Sequence, residues 1–299
     1  MNKMVSIKIS DELLSLVMSD FKNYSLPNDG EYVLLYAKKD GTDITLYESK
    51  KGHTLFLNGP KALEFAKKYD DNATLIEPKV KEKENYLSLN DQIGSDEVGV
   101  GDLCLPLVVC AAYVKKENVE ALLALGVHDS KKMKDEEILR IVPIIATLVD
   151  FSKLTLPVEK YNELIAKSEN LNSLKAKMHN QALLNMKKKH LNCKEIYVDQ
   201  FVQESTYYKY LKNEKEIQKD IVFKTRGESS YISVAVSSLI SRYSFLKEKE
   251  KLEKKYNIEF PFGAGKSADE FILKFKDKFG MDELKKISKL HFANLKEII

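Results

Sequence analysis

Gly94-Ser95-Asp96-Glu97-Val98-Gly99-Val100-Gly101-Asp102 runs directly into the apolar stretch Leu103 to Val114, with Leu105-Pro106-Leu107-Val108-Val109-Cys110-Ala111-Ala112 at its heart. An apolar run of that length and composition reads as buried strands of an α/β sheet. Beside it stand two adjacent carboxylates and a Gly-x-Gly turn. Burying an unpaired carboxylate is costly, and a bound cation is the usual compensation. A divalent-metal site is therefore the first hypothesis. The plain alternative is a solvated Asp-Glu loop in which Gly99 and Gly101 are ordinary turn residues. In the metal-site reading the glycines let backbone come close to a substrate.

Two further acids fit that reading. Lys194-Glu195-Ile196-Tyr197-Val198-Asp199 is a β-branched and aromatic run ending in an acid. Open α/β sheets bind ligands at the carboxyl ends of their strands. Arg226-Gly227-Glu228-Ser229-Ser230 precedes an apolar segment, Tyr231 to Leu246, and resembles a helix start. Glu228 would then point back toward the sheet. Four acids offering only oxygen suit Mg²⁺ or Mn²⁺. Two such ions about 4 Å apart form the arrangement used for phosphodiester hydrolysis.

The ordered set Gly94-Ser95-Asp96-Glu97-Val98-Gly99-x-Gly101-Asp102, Asp129-Ser130-Lys131-Lys132, Tyr197-Val198-Asp199 and Gly227-Glu228 resembles the type 2 ribonucleases H. Three features select the ribonuclease HIII branch over ribonuclease HII. Val100 stands where HII members carry Arg, and Glu228 stands where they typically carry Asp. An extension of about 85 residues also precedes the first motif. Asn172-x-x-Lys175-Ala176-x-x-His179-Asn180-Gln181-Ala182 and Gly263-Ala264-Gly265-Lys266-x-x-Asp269-Glu270-Phe271 extend the likeness over most of the chain.

The resemblance implies a ribonuclease H-like α/β fold and cleavage of the RNA strand of RNA–DNA hybrids by two-metal-ion catalysis, leaving 5′-phosphate and 3′-hydroxyl ends. Asp96, Glu97, Asp199 and Glu228 would be the metal ligands and catalytic acids, with Mg²⁺ or Mn²⁺ as two ions. Gly99, Val100, Gly101 and Asn172 would sense 2′-hydroxyls. Ser130, Lys131, Lys132, Lys175, Arg226 and Ser233 would contact phosphate and sugar. Alone, Asp129-Ser130-Lys131-Lys132 reads as a helix N-cap with solvated lysines. Val100 implies weak action at a single ribonucleotide within DNA. The alternatives are an HII-like enzyme that cuts such junctions and a non-catalytic hybrid-binding protein.

The chain has 299 residues, 43% of them hydrophobic, enough for two domains with sizeable cores. Its 48 basic and 45 acidic residues give a net charge of +3, which does not announce a nucleic-acid binder. Cys104, Cys110 and Cys193 form no Cys-x-x-Cys pair and fit buried thiols in a reducing cytoplasm. No signal-peptide core or membrane span is visible. A soluble, cytoplasmic monomer is expected.

Residues 1–69 read as strand, helix, three strands and helix, similar to the TATA-binding-protein-like substrate-binding domain of ribonuclease HIII. Polar residues 70–89 read as a linker, and 90–299 as the catalytic domain. Within it, strands are expected near 91–97, 104–114, 149–156 and 194–199. Helices are expected near 117–125, 134–147, 158–190, 203–213 and 229–255. Gly263-Ala264-Gly265-Lys266-Ser267 fails the Walker pattern, because Phe260 stands where glycine is required. His128 and His179 flank the acids and read as structural. No triad or nucleophilic cysteine is apparent, which argues against covalent catalysis.

Overall fold

Apolar residues at every second position (Val5, Ile7, Ile9; Leu55, Leu57) dictate strands with one buried face. The computed structural model describes residues 3–28, 33–49, 52–76, 86–127, 133–167 and 169–295. Its first part comprises β1 (Met4–Ile9), α1 (Asp11–Phe21), β2 (Val33–Lys39), β3 (Thr42–Ser49), β4 (Gly52–Asn58) and α2 (Ala62–Ala66). The four strands form an antiparallel sheet in the order β1-β4-β3-β2. Val17 and Phe21 of α1 and Phe65 of α2 cover one face, over Val5, Ile7, Ile44, Leu46, Leu55 and Leu57. Met4, Tyr47 and Phe56 face the other way and join a cluster with Ile138, Val142 and Ile145 of the second part.

That second part runs β5 (Gln92–Val98), β6 (Leu107–Val114), α3 (Val119–Ala124), α4 (Asp135–Ile145), β7 (Asp150–Leu156), α5 (Val158–Ala166) and α6 (Leu171–Lys189). It continues with β8 (Glu195–Asp199), α7 (Glu204–Tyr210), β9 (Val222–Lys224), α8 (Ile232–Tyr256), α9 (Lys266–Phe279) and α10 (Met281–Ile287). The sheet order is β7-β6-β5-β8-β9. β5, β6 and β7 are antiparallel neighbours, while β5, β8 and β9 run parallel.

Several boundaries depart from the sequence reading for local reasons. β6 begins at Leu107 rather than near 104, just after Pro106, which has no N–H for a ladder. The helical stretch 158–190 is two helices. Asn170 starts the second with a capping box: Ser173 N–H donates to Asn170 Oδ1 at 2.9 Å, and Asn170 N–H donates to Ser173 Oγ at 3.0 Å. Among the described residues no helix is long and apolar enough to cross a membrane.

Two features hold β5 in place. A Cβ at Gly94 would lie 2.3 Å from the backbone nitrogen of Val234, so only glycine lets α8 come this close. Three serines spaced by four on α8 then hydrogen-bond along the strand. Ser233 Oγ donates to Gln92 Oε1 at 2.9 Å, Ser237 Oγ to Gly94 O at 2.8 Å, and Ser241 Oγ to Asp96 O at 3.2 Å.

Candidate active site

The parallel pairing of β5 and β8 sets Ser95 opposite Val198. One step further along both strands, Asp96 and Asp199 stand side by side at the carboxyl edge of the sheet. Gly227 N–H donates to Asp199 Oδ1 at 2.8 Å, drawing a 3-10 turn, Gly227–Ser229, against β8. Arg226 enters that turn with left-handed φ 55° and ψ 46°, uncommon outside glycine. Glu228 is 3% exposed, and Ser229 Oγ donates to its Oε1 at 3.3 Å. It stands in this turn just ahead of α8.

Asp96 is buried. Burial, reinforced by the charges of Glu97 and Asp199, holds its carboxyl well above the usual carboxylate range. The Ser238 hydroxyl and the Glu97 N–H, the latter at 2.8 Å, only partly offset this. Glu97 is in the opposite state. Burial disfavours its charge, but His179 and Lys175 outweigh that and hold its carboxyl below the ordinary value. Lys175 Nζ lies 2.6 Å from Oε1, and His179 Nε2 lies 2.9 Å from Oε2. His179 Nδ1 lies 2.7 Å from Ser95 Oγ, whose own proton goes to Cys110 O at 2.8 Å. Both ring nitrogens are thus held by neighbouring oxygens. Phe201 closes the network, stacked on His179 and 4.0 Å below the Lys175 ammonium.

These positions differ from two expectations. Lys175 is 5% exposed and neutralises Glu97 instead of facing solvent where a phosphate would lie. Ser233 is fully buried and bonded to Gln92. Amphipathic spacing places a lysine on a helix face without saying whether that face meets water or a buried acid. His179, read as structural, proves to be a direct partner of Glu97. The i,i+4 spacing of Lys175 and His179 was the visible sign of a shared partner. Gly99 is buried with φ 91°, and a Cβ there would meet Pro106 O at 2.0 Å. Gly101 is exposed, with nothing within 4 Å of its Cβ position. Asn172 is half-buried in the first turn of α6, and Arg226 is exposed. Ser130, Lys131 and Lys132 lie outside the described residues.

Among the described residues, no three His, Cys, Asp or Glu side chains are gathered closely enough to enclose a metal ion. The donor chemistry nonetheless fits a hard divalent cation. Asp96 and its acidic neighbours offer only oxygen, and their like-charge crowding is what a cation relieves.

A sheet ordered 3-2-1-4-5 with the buried Asp96 on its first strand and the half-buried Asp199 at the end of its fourth defines a ribonuclease H-like nuclease. A family profile for ribonuclease HII matches residues 93–295. Ribonuclease HIII of Listeria monocytogenes is 41% identical over 290 residues, covering 93% of this chain and 91% of its own. Ribonuclease HIII of Bacillus cereus is 36% identical over 98% of this chain and 97% of its own. A crystal structure of Bst-RNase HIII in complex with Mn²⁺ superposes with a TM-score of 0.69 at 30% identity, covering 98% and 97% of the two chains. The chain belongs to the ribonuclease HII family, in its ribonuclease HIII branch. Membership carries the activity of the family, endonucleolytic hydrolysis of RNA in RNA–DNA hybrids.

Proposed function

We propose that Asp96, Glu97, Asp199 and Glu228 hold two divalent cations, Mg²⁺ or Mn²⁺, and that hydrolysis leaves 5′-phosphate and 3′-hydroxyl ends. The observation that carries this is Asp96, a buried acid whose ionisation is opposed by its acidic neighbours at the sheet's carboxyl edge. When bound, such ions activate the attacking water and stabilise the leaving oxygen. The chain's own residues prepare the place. Ser238 and the Glu97 N–H orient the Asp96 carboxyl, and the Gly227 N–H fixes Asp199. Lys175 and His179 keep Glu97 ionised and aimed.

The Gly99-Val100-Gly101 turn sits next to these acids, and its exposed Gly101 leaves room for a ribose to approach backbone. Asn172 and Arg226, with Ser130, Lys131 and Lys132, are assigned to the sugar–phosphate backbone. Residues 1–69 form a substrate-holding domain, 70–89 a linker and 90–299 the catalytic domain.

The test compares two duplexes, each with Mg²⁺, Mn²⁺ or chelator: an all-RNA strand on DNA, and one ribonucleotide within DNA. Metal-dependent cutting of the first with little of the second is expected from Val100. Better cutting of the second would move the protein to junction cleavage. No cutting of either would leave a hybrid-binding protein.

A further inference from the structure

Lys289 lies 190 positions along the chain from the Gly-x-Gly turn, yet its side chain ends inside it. The residue is 1% exposed. Its ammonium donates to Gly99 O and, at 2.8 Å, to Asp102 O, the carbonyls at the two ends of that turn. The Tyr161 ring lies 5.5 Å from Nζ, within cation–π reach. Lysine's three donors in a buried site are thus met by two carbonyls and an aromatic face.

The backbone that carries Lys289 is itself clamped. Asn162 on α5 donates through Nδ2 to Lys285 O at 3.1 Å and Ser288 O at 2.9 Å, and accepts from Leu290 N–H at 3.0 Å. Lys289 N–H donates to Leu103 O at 2.9 Å. Asp102 Oδ1 in turn accepts from Gly263 N–H at 2.7 Å. An unbroken chain of hydrogen bonds therefore runs from α5 through residues 288–290 to Gly99 and Asp102. Flexible glycines need such an outside restraint, because glycine loses more backbone freedom on ordering than any other residue.

We infer that Lys289 is a positioning residue for substrate recognition: it pins both end carbonyls of the Gly99–Asp102 turn inward, holding the Val100 and Gly101 backbone ready for the RNA strand. The inference rests on the reading of that turn as a substrate contact. Because the turn would meet the ribose before and during reaction alike, loosening it weakens binding uniformly and leaves the chemical step unchanged.

The experiment uses the full chain, with Lys289→Met removing the donors at similar length and Asn162→Ala removing the clamp from a partly exposed position. Steady-state cleavage of an all-RNA/DNA hybrid is measured for both, with amide hydrogen exchange of residues 99–102 in free protein. The expected result is a KM raised about tenfold in K289M with kcat within about twofold, and a smaller KM rise in N162A. Exchange at the turn is expected to be faster in both. Wild-type KM and turn exchange in N162A, together with wild-type KM in any folded K289M, overturns the inference, even if melting temperature falls. So does a fall in kcat at constant KM. If K289M does not fold, N162A decides. Should the wild type itself fail to cut the hybrid, the reading of function fails, while the exchange data still decide whether Lys289 orders the turn.

Discussion

Replacing Lys175 by methionine tests whether its ammonium serves the acid cluster or the substrate. Lys175 and Glu97 are buried, with 7% and 11% of their side chains exposed, and their charged atoms are 2.6 Å apart. Removing one partner of a buried pair costs about 3–5 kcal/mol, because the other charge is left without compensation. His179 still holds the second carboxylate oxygen at 2.9 Å, so the lower end, about 3 kcal/mol, is expected. For a folding unit of this size that is a fall of about 6–12 °C in melting temperature. The loss should shrink as pH falls into the carboxylate range, since a protonated Glu97 needs no counter-ion. With Lys175 gone, Glu97 lacks one cation, so added Mn²⁺ should raise the K175M melting temperature more than that of the wild type. Scanning calorimetry at two pH values, with Mn²⁺ and with chelator, reads all three effects. A K175M protein that melts like the wild type, and whose hybrid affinity instead falls less steeply with salt by about one charge, would refute this reasoning. That pattern belongs to a lysine on a phosphate.

Asp96→Asn should abolish cleavage yet raise the melting temperature in chelator, because it removes a buried carboxylate crowded by Glu97 and Asp199; a lower melting temperature would contradict the crowding. Glu97→Gln, Asp199→Asn and Glu228→Gln should each cut at less than about one hundredth of the parental rate, and full activity in any of them removes that residue from the ligand set. Gly99→Ala should destabilise the fold, since φ is 91° and Pro106 O stands 2.0 Å from the new Cβ. Gly101→Ala should melt like the wild type but bind hybrid more weakly, and unchanged affinity would show that no ribose comes close there. Burial pushes the Lys289 ammonium down to about 8, with the Asp102 charge pulling the other way. An unfolded lysine titrates near ~10.4, so between these values the unfolded chain binds more protons and folding stability rises with pH. The stability gap between wild type and K289M should therefore widen from about pH 7 to about pH 10 in paired melts, and a constant gap would mean that burial does not depress the Lys289 ammonium.

The strands that build the site were legible because their residues answer to local rules. β6 and β8 are runs rich in β-branched, aromatic and apolar residues, and Asp199 ends the second of them, while β5 was marked by Asp96 and Glu97 beside the Gly-x-Gly turn. Glu228 was legible from the small residues that follow it. Other features were hidden for different reasons. β9 is three residues long and takes its conformation from β8 rather than from its own sequence. The break before α6 was readable in Asn170 and Ser173 but was masked by helical spacing on both sides. The partner of Lys175 lies 78 positions away, and its i,i+4 spacing with His179 hints that the two share a partner without naming it, while the reach of Lys289 to a partner 190 positions away has no local pattern at all. α9 and α10 bury Phe271, Phe275 and Leu284 in a core that also contains Leu103 and Phe245, so their role depends on assembly.

The serines of α8 act as a vernier against β5. Four helical residues advance about 6.0 Å and two strand residues about 6.6 Å, so the two scales drift by only about 0.6 Å per rung. Over Ser233, Ser237 and Ser241 the accumulated offset is about 1.2 Å, within the swing of a hydroxyl rotor. Sliding the helix by one residue would turn every rung away at once. The helix is thus indexed to the strand, and Ser238, beside the ladder, is delivered to the Asp96 carboxyl at a fixed phase. The next mark on the scale is Phe245, not serine. It lies beneath Gly99, where the strand has already given way to the turn. Helix and strand keep step only as far as Asp96.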